Sequence, residues 1–257
     1  MVIDFHCHAG PGDALTAPWN TRAPLRAYLA RAAACGIRRT VVVPAFHDDS
    51  LRAHRALAAL VARHRPRLVG FAMVHPRQDA GRVHALVRRA RTRYGFRGIK
   101  VHGHDALPGR EVLEAARAEG LPLLLDVAGQ AHTVEMLAGE YPEVPIVIAH
   151  LGSFADDWRA HLTVIDLMVR HANVHADTSG VRRFDYLVEA VRRAGPHKLL
   201  FGSDGPWLHP AVELHKIRML RLDPQAEWLV TRGNAARLLR GSTAAPSASL
   251  AGVGGAG

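Results

Sequence analysis

The sequence predicts an α/β protein built as a single (β/α)8 barrel, the TIM-barrel architecture. The chain has 257 residues, close to the roughly 250 residues of one such barrel. Short apolar runs alternate with longer segments of helical periodicity, which is typical of parallel strands joined by helices. The apolar runs are continuous rather than alternating in polarity, as expected for strands that are covered on both faces.

Eight apolar runs are the predicted strands, and their number favours a closed barrel over an open doubly wound sheet. No glycine-rich dinucleotide fingerprint follows the first run, which also argues against the open sheet. In chain order the predicted strands cover residues 2–5, 40–44, 68–74, 96–102, 121–126, 145–150, 173–177 and 198–203.

The segments between these runs are long enough for helices, and a glycine that can cap the C-terminus often follows them. Clear candidates are residues 51–64, 82–93, 110–119 and 184–194. Residues 241–257 are rich in Gly, Ala and Ser and carry no charge. We therefore predict one barrel domain over residues 1–240 and a disordered tail over residues 241–257.

The composition limits which kinds of partner the protein is expected to bind. The formal net charge is +10, but the arginines are spread along the chain and no basic stripe is interleaved with aromatic residues. We therefore expect no nucleic-acid partner, although the charge would attract anionic substrates. Cys7 and Cys35 make no disulfide framework, and no apolar run approaches the ~18 residues of a membrane helix. With no visible signal peptide, we expect a cytoplasmic protein without a membrane partner.

The strongest chemical signal is the pair His6 and His8 at the end of the first predicted strand. Side chains alternate across a strand, so these two imidazoles point to the same side and Cys7 points to the other. At the C-terminal rim of a barrel, two such imidazoles form half of a zinc-type site. Hydrogen bonding of both rings to backbone is the alternative interpretation.

Two further polar residues end predicted strands. His150 ends the sixth strand and Asp204 follows the eighth. Each alone is weak, because a lone His or Asp at a strand end is often a satisfied polar residue or a helix cap. Asp177 and Ser179 after the seventh strand are as readily explained by a structural role. The joint placement of His6, His8, His150 and Asp204 at one rim is unlikely by chance.

Five segments together resemble the amidohydrolase superfamily, and specifically its amidohydrolase-related branch, which includes proteins similar to aminocarboxymuconate-semialdehyde decarboxylase. No single segment is specific, but their order and spacing are, and they span nearly the whole chain apart from the tail. The segments are IDFHCHAG (3–10), GIKVHG (98–103), PIVIAHLG (145–152), KLLFGSDGPW (198–207) and TRGNAARLL (231–239).

The resemblance implies one divalent metal ion, zinc first and manganese second, with His6, His8 and Asp204 among its ligands. It also implies that His150 polarises water or substrate and that Asp204 accepts a proton. We expect the fourth-strand Lys100 to be a cation in the lumen that pairs with Asp126 or with a substrate carboxylate. We expect His102, Arg22 and Trp207 to bind substrate with Lys100.

One position departs from the family pattern, because the fifth strand ends in Asp126 where a metal-binding His is usual. Three interpretations stay open. Asp126 is itself a ligand, since a carboxylate oxygen suits zinc or manganese. A nearby His, such as His102, His104 or His132, replaces it. In the third interpretation the metal affinity is lost.

The resemblance implies a metal-dependent hydrolase, and the basic surroundings, including Lys100 and Arg22, favour a small, carboxylated substrate such as a lactone or a cyclic amide. Two alternatives remain at this stage. One is a metal-dependent, non-oxidative decarboxylase of a small aromatic or unsaturated acid, and the other is a catalytically degenerate barrel with a binding role. The resemblance also makes a homodimer plausible.

Overall fold

The structure, a computed structural model, describes residues 1–12, 22–154 and 156–241. The predicted tail therefore lies outside the described residues except for Gly241. The strands are β1 (Val2–Pro11), β2 (Arg22–Ala23), β3 (Ile37–Pro44), β4 (Leu68–Gly70), β5 (Ala72–Met73), β6 (Ile99–His102), β7 (Leu123–Asp126), β8 (Ile146–Ile148), β9 (Val174–Asp177) and β10 (Leu199–Leu200). The α-helices are α1 (Leu25–Ala34), α2 (Ser50–Arg63), α3 (Val83–Tyr94), α4 (Arg110–Glu119), α5 (Val134–Glu140), α6 (Trp158–Arg170), α7 (Phe184–Ala194), α8 (Pro210–Met219), α9 (Pro224–Trp228) and α10 (Asn234–Arg240).

The strands form two sheets, in the orders β2-β1-β3-β4 and β10-β9-β8-β7-β6-β5. The short β2 pairs with β1 antiparallel, and all other pairs are parallel. Only Phe71 separates β4 from β5, so these two are one barrel strand that leaves the first sheet and joins the second. Its amide still donates to the Val42 carbonyl at 3.0 Å.

The barrel closes where β1 meets the segment that follows β10. The Phe5 amide donates to the Phe201 carbonyl at 2.8 Å, and the His8 amide donates to the Gly205 carbonyl at 2.6 Å. With β4 and β5 counted as one strand and β2 as an outer ribbon, eight parallel strands enclose the lumen. The predicted (β/α)8 barrel is confirmed, and each predicted strand coincides with an observed one.

The core has two shells, as the pleat of parallel strands requires. Inward-facing side chains fill the lumen, and α10 covers the end at which the strands begin. This inner cluster contains Ile3, Phe5, Val41, Val43, Val69, Phe71, Leu124, Val147, Ala149, Leu200, Ala235, Leu238 and Leu239. The outer shell, between strands and helices, holds the other face of the same strands, for example Val42, Ile99, Leu125 and Ile148.

β1 contains a β-bulge immediately before the site. Asp4 pairs with Thr40 and Cys7 pairs with Val42, so three steps along β1 match two steps along β3. The extra residue breaks the alternation of side chains. Phe5 packs in the inner cluster and His6 also faces inward, whereas Cys7 packs in the outer shell. His6 and His8 thus face the same side of the strand, as predicted. Phe5 faces that side as well, although it is adjacent to His6, because the bulge lies between them.

Among the described residues, no helix is both long enough and apolar enough to cross a membrane.

Gly98 packs against the inner cluster and should not tolerate a larger side chain. A Cβ at Gly98 would lie 2.3 Å from the Phe71 ring, so Gly98→Ala should lower the free energy of unfolding by about 1–3 kcal/mol through overpacking. Gly139→Ala in α5 is the matched control, because its Cβ would meet nothing within 4 Å. The control should be neutral or stabilising by up to about 1 kcal/mol. Urea denaturation measures both, and equal stabilities would contradict the assigned packing.

Candidate active site

A small cavity opens at the C-terminal ends of the barrel strands, where active sites of such barrels lie. Its volume is about 210 Å³. The predicted site residues line it, apart from Arg22 and the substitute ligand His132. The full lining is His6, His8, Phe46, Lys100, His102, His104, Asp126, His150, Phe154, Asp204 and Trp207.

Three side chains converge at this cavity with the spacing of metal ligands. Asp204 Oδ1 lies 3.2 Å from His8 Nε2 and 3.7 Å from His6 Nε2, and the three residues are buried. Asp204 Oδ1 is also buried without a well-aligned hydrogen-bond donor among the described residues. A divalent cation would satisfy that oxygen, and two imidazoles with one carboxylate suit zinc. The residues therefore fit a metal ion.

The two imidazoles are oriented through their other ring nitrogens. His6 Nδ1 lies 2.9 Å from Asp177 Oδ2, and His8 Nδ1 lies 3.3 Å from the Pro44 carbonyl oxygen. When each Nδ1 carries the proton and donates to that acceptor, each Nε2 presents a lone pair towards Asp204. Burial, with Lys100 adding to it and Asp177 opposing it, lowers the pKa of His6 to about 4. The neutral imidazole that results is the form that binds metals.

Asp177 lies behind His6 and accepts hydrogen bonds from several groups of the site. Its Oδ1 accepts hydrogen bonds from the Ser179 amide at 2.9 Å, the Ser179 hydroxyl at 2.5 Å and the His150 amide at 3.3 Å. His6, His150 and Asp177 are also spaced like metal ligands, but these hydrogen bonds already use the Asp177 oxygens. Burial would raise the pKa of Asp177, yet His6 and Ser179 hold it below its usual range. Asp177 therefore acts as the carboxylate that orients His6.

His150 and Asp204 share an unusual backbone conformation. His150 lies in a 3-10 turn, Ala149–Gly152, after β8 with a φ of +57°, and Asp204 has a φ of +52°. Residues other than glycine held at positive φ are strained and cluster at functional sites. His150 Nδ1 lies 2.9 Å from the Ser179 carbonyl oxygen, which leaves Nε2 as the ring atom for the cavity.

Lys100 is the buried cation of the site. Its Nζ lies 3.4 Å from His6 Nε2. Burial lowers the pKa of Lys100, and the carboxylates of Asp126, Asp177 and Asp204 oppose that shift. The ammonium group therefore stands among three carboxylates on the inner face of the cavity.

Asp126 lies in the cavity but in neither group spaced like metal ligands. Its Oδ1 accepts a hydrogen bond from the Ala128 amide at 2.9 Å, and its Oδ2 lies 3.9 Å from His104 Nε2. Burial would raise the pKa of Asp126, but His150 and Lys100 hold it below its usual range. Direct ligation by Asp126 stays a prediction. Of the three predicted substitutes, His102 and His104 line the cavity, whereas His132 does not.

Aromatic rings form one wall of the cavity. The ring centroids of His8 and Trp207 are 4.3 Å apart, and those of Phe46 and His102 are 4.4 Å apart. His102 is 4% exposed, and neither of its ring nitrogens has a hydrogen-bond partner among the described residues. Burial and the charge of Lys100 lower the pKa of His102 well below its usual range. His102 is therefore a neutral polar group in an aromatic wall.

Arg22 is not brought into this cavity. Its side chain is exposed in β2 and lines a separate groove of about 440 Å³ between β2 and α2. Its backbone carbonyl does accept a hydrogen bond from Trp207 Nε1 at 3.4 Å. Arg22 therefore contacts the site through the backbone behind Trp207.

The sequence pattern assigns no role in the site to Asp177, Ser179 or Phe46. For Asp177 and Ser179 the available signal is their place beside other polar residues at strand ends. For Phe46 it is an aromatic residue two positions after the end of β3.

The orienting role of Asp177 can be tested by Asp177→Asn, which removes the charge opposite His6 Nδ1 and leaves the shape. Zinc affinity should fall about 10- to 100-fold, as for other partners that orient metal-binding histidines. Asp166→Asn, which changes a surface ion pair with Arg193, is the control and should leave the zinc affinity unchanged. Isothermal titration with zinc measures both, and unchanged affinity in Asp177→Asn would contradict the role.

The fold is similar to that of several solved structures. An amidohydrolase from Burkholderia multivorans with bound zinc has a TM-score of 0.78 at 18% identity, covering 94% of this chain and 99% of that one. A probable 2-pyrone-4,6-dicarboxylic acid hydrolase from Acinetobacter baumannii, with citric acid bound, gives 0.74 at 17% identity over 93% and 99%. A dihydroxybenzoic acid decarboxylase from Polaromonas sp. JS666, with manganese and 2-nitroresorcinol, gives 0.70 at 17% identity over 93% and 96%.

Identities this low support the barrel fold and leave the reaction open. No curated protein sequence matches the chain. A sequence model of a protein family described as amidohydrolase matches residues 3–241, which is nearly all of the described chain. The protein therefore belongs to the amidohydrolase family.

Proposed function

We propose that this protein is a metal-dependent hydrolase of a small, flat, carboxylated substrate such as a lactone or a cyclic amide. The observation that carries the proposal is the convergence of His6 Nε2, His8 Nε2 and Asp204 Oδ1 beside the buried Lys100. Membership of the amidohydrolase family supports a metal-dependent enzyme. Zinc is the first choice for this ligand set and manganese the second.

His6, His8 and Asp204 would hold the cation, and Asp126 would be a fourth ligand if its carboxylate turned towards it. A divalent cation there supplies Lewis acidity, which polarises a carbonyl and lowers the pKa of a water molecule. Asp126 would make the ligand set more anionic and so favour manganese over zinc.

Asp204 is the proposed proton acceptor. Burial would raise its pKa, but His8, His6 and His150 hold the pKa of Asp204 at about 2, so the carboxylate is ionised at neutral pH. This carboxylate takes a proton from the attacking water and later returns it to the leaving group. His150 Nε2 faces the developing oxyanion while Nδ1 stays on the Ser179 carbonyl.

The substrate class follows from the remaining lining residues. The Lys100 ammonium pairs with a substrate carboxylate. The unpartnered ring nitrogens of His102 bind a second polar atom, because a buried polar group is costly until it is paired. Phe46 and Trp207, whose rings are inclined by 15°, favour a planar molecule.

Non-oxidative decarboxylation is the second candidate, and the aromatic wall is the observation that favours it. The dihydroxybenzoic acid decarboxylase with the same fold adds weight to an aromatic acid as substrate. In that reaction the carbon–carboxylate bond breaks, carbon dioxide leaves, and the ring carbon takes a proton from an acid in the cavity. The degenerate barrel is weaker, since only the position of Asp126 supports it while His6, His8 and Asp204 remain.

A product assay separates these functions. The zinc- or manganese-loaded protein is incubated with lactones, cyclic amides and aromatic acids in water enriched in oxygen-18. Hydrolysis predicts one new carboxylate per turnover, carrying the heavy oxygen, and no carbon dioxide. Release of carbon dioxide would replace the hydrolase by the decarboxylase, and no turnover of any member of the panel would favour the degenerate barrel.

Asp204→Ala should abolish turnover, because it removes a metal ligand and the proton acceptor together. A loss of at least about 10²- to 10⁴-fold in kcat is expected from the proton transfer alone. Asp185→Ala, which changes a surface ion pair on α7, is the control and should retain full activity. If Asp204→Ala kept its activity, both enzyme hypotheses would be wrong.

Lys100→Met should lower kcat/KM for the carboxylated substrate. A charge-assisted hydrogen bond contributes about 1.5–3 kcal/mol, so a loss of roughly 10- to 100-fold is expected. The matched control is the methyl ester of the same substrate, for which the variant and the original protein should differ little. An equal loss on acid and ester, at equal metal content, would contradict carboxylate recognition by Lys100.

A further inference from the structure

A buried carboxylate lies behind the candidate metal site, where the first and last barrel strands meet. Asp4 of β1 is 0% exposed, and its side chain points away from the cavity. Its Oδ2 accepts hydrogen bonds from the Tyr28 hydroxyl at 2.6 Å and from the Ser203 hydroxyl at 2.5 Å. Its Oδ1 accepts from the Ser203 amide at 2.9 Å and from the His6 amide at 3.2 Å. Four donors therefore offset part of the cost of burying this group, and burial still raises the pKa of Asp4 to about 7.

The two donors on Oδ1 belong to the two segments that carry the metal ligands. One is the backbone amide of His6 itself, and the other is the amide of the residue immediately before Asp204. A single oxygen atom thus ties both backbones together. The Asp204 amide also donates to the His6 carbonyl at 2.7 Å. These hydrogen bonds hold the backbone that carries Asp204 against the backbone that carries His6.

The bulge in β1 explains why a side chain is needed here. The register with β3 shifts between Asp4 and Cys7, and at this shift the His6 amide donates to Asp4 Oδ1. A buried amide without a partner is costly. Asp4 accepts the hydrogen bond of this amide. It thereby holds the backbone of His6, whose imidazole faces Asp204. At the break between β4 and β5, by contrast, the Phe71 amide donates to a backbone carbonyl and its ring packs in the inner cluster.

The contacts of Asp4 extend to the helix outside the barrel. Tyr28 of α1 also lies 2.9 Å from the Thr40 hydroxyl, which anchors its ring between β1 and β3. That ring packs on Gly205, where an added Cβ would lie 2.5 Å from it. Gly205 in turn accepts the His8 amide at 2.6 Å. Both metal-binding histidines are therefore connected through their backbones to the same buried cluster.

We propose that Asp4 is a positioning residue of the metal site, which fixes the distance between the His6–His8 pair and Asp204. It contacts neither the cation nor the substrate and acts through the His6 and Ser203 backbones, with Tyr28 and Ser203 holding it in place. The inference rests on the proposed function only in that a metal ion is held by His6, His8 and Asp204.

The test compares zinc affinity with stability in Asp4→Ala, Asp4→Asn and Ser203→Ala. Asn173→Ala is the matched control. Asn173 is also buried, and its amide group donates to three carbonyls, of Ala138, Tyr141 and Val144, in a place that does not line the cavity. Folding is checked by circular dichroism, Tm is measured with and without zinc, and the zinc Kd is measured by competition with a chromophoric chelator.

Asp4→Ala should raise the zinc Kd about tenfold or more, on the scale seen when residues supporting metal ligands are lost. Asp4→Asn keeps an oxygen for the two amides and should restore most of the affinity. Ser203→Ala should raise the Kd several-fold. Asn173→Ala should lower the Tm while its zinc Kd stays that of the original protein.

A lowered Tm with an unchanged zinc Kd in Asp4→Ala would overturn the positioning role and leave Asp4 a purely structural residue. If Asp4→Ala does not fold, an unchanged Kd in Ser203→Ala overturns the proposal instead. Failure of the proposed function looks different, because the unaltered protein would then bind no zinc or manganese. That result would overturn both inferences.

Discussion

The junction between β1 and the segment after β10 is the constraint on which the site depends. The barrel closes there, and the same few residues carry the His6–His8 pair on one side and Asp204 on the other. Backbone hydrogen bonds set the approach of the two segments, and the β-bulge turns His6 inward. Because metal ligation needs the ligand atoms placed within fractions of an ångström, the closure of the fold and the geometry of the site are one problem.

Around that junction, hydrogen bonds from neighbouring polar groups orient the imidazoles that face the cavity. Asp177 and the Pro44 carbonyl fix the two imidazoles from behind, and Ser179 fixes His150. The backbone is strained at two residues of the rim, His150 and Asp204, which both have a positive φ. The apolar inner cluster below and the outer shell around it are well packed and can hold this strain. The resulting cavity gathers the Lys100 ammonium group, carboxylates and several imidazoles against an aromatic wall.

Much of the fold could be predicted from the sequence, because eight continuous apolar runs separated by helical segments admit few arrangements. The convergence of His6, His8, His150 and Asp204 followed from parallel strands ending at one rim, and Lys100 was expected in the lumen from its place on the fourth strand. The bulge could not be predicted, since it depends on the register of β1 against β3. The pairing of His6 with Asp177, and the position of Arg22 outside the cavity, depend on ring rotation and loop paths across long separations in sequence. Direct ligation by Asp126 and a homodimer remain predictions.

Binding of one metal ion by His6, His8 and Asp204 is tested most directly by a crystal structure of the zinc-loaded protein, with anomalous diffraction recorded on both sides of the zinc edge. This ligand set predicts one anomalous peak per chain within bonding distance of His6 Nε2, His8 Nε2 and an Asp204 carboxylate oxygen, about 2.0–2.2 Å. A peak centred instead between His6, His150 and Asp177, or no peak in the cavity at full zinc loading, would contradict it.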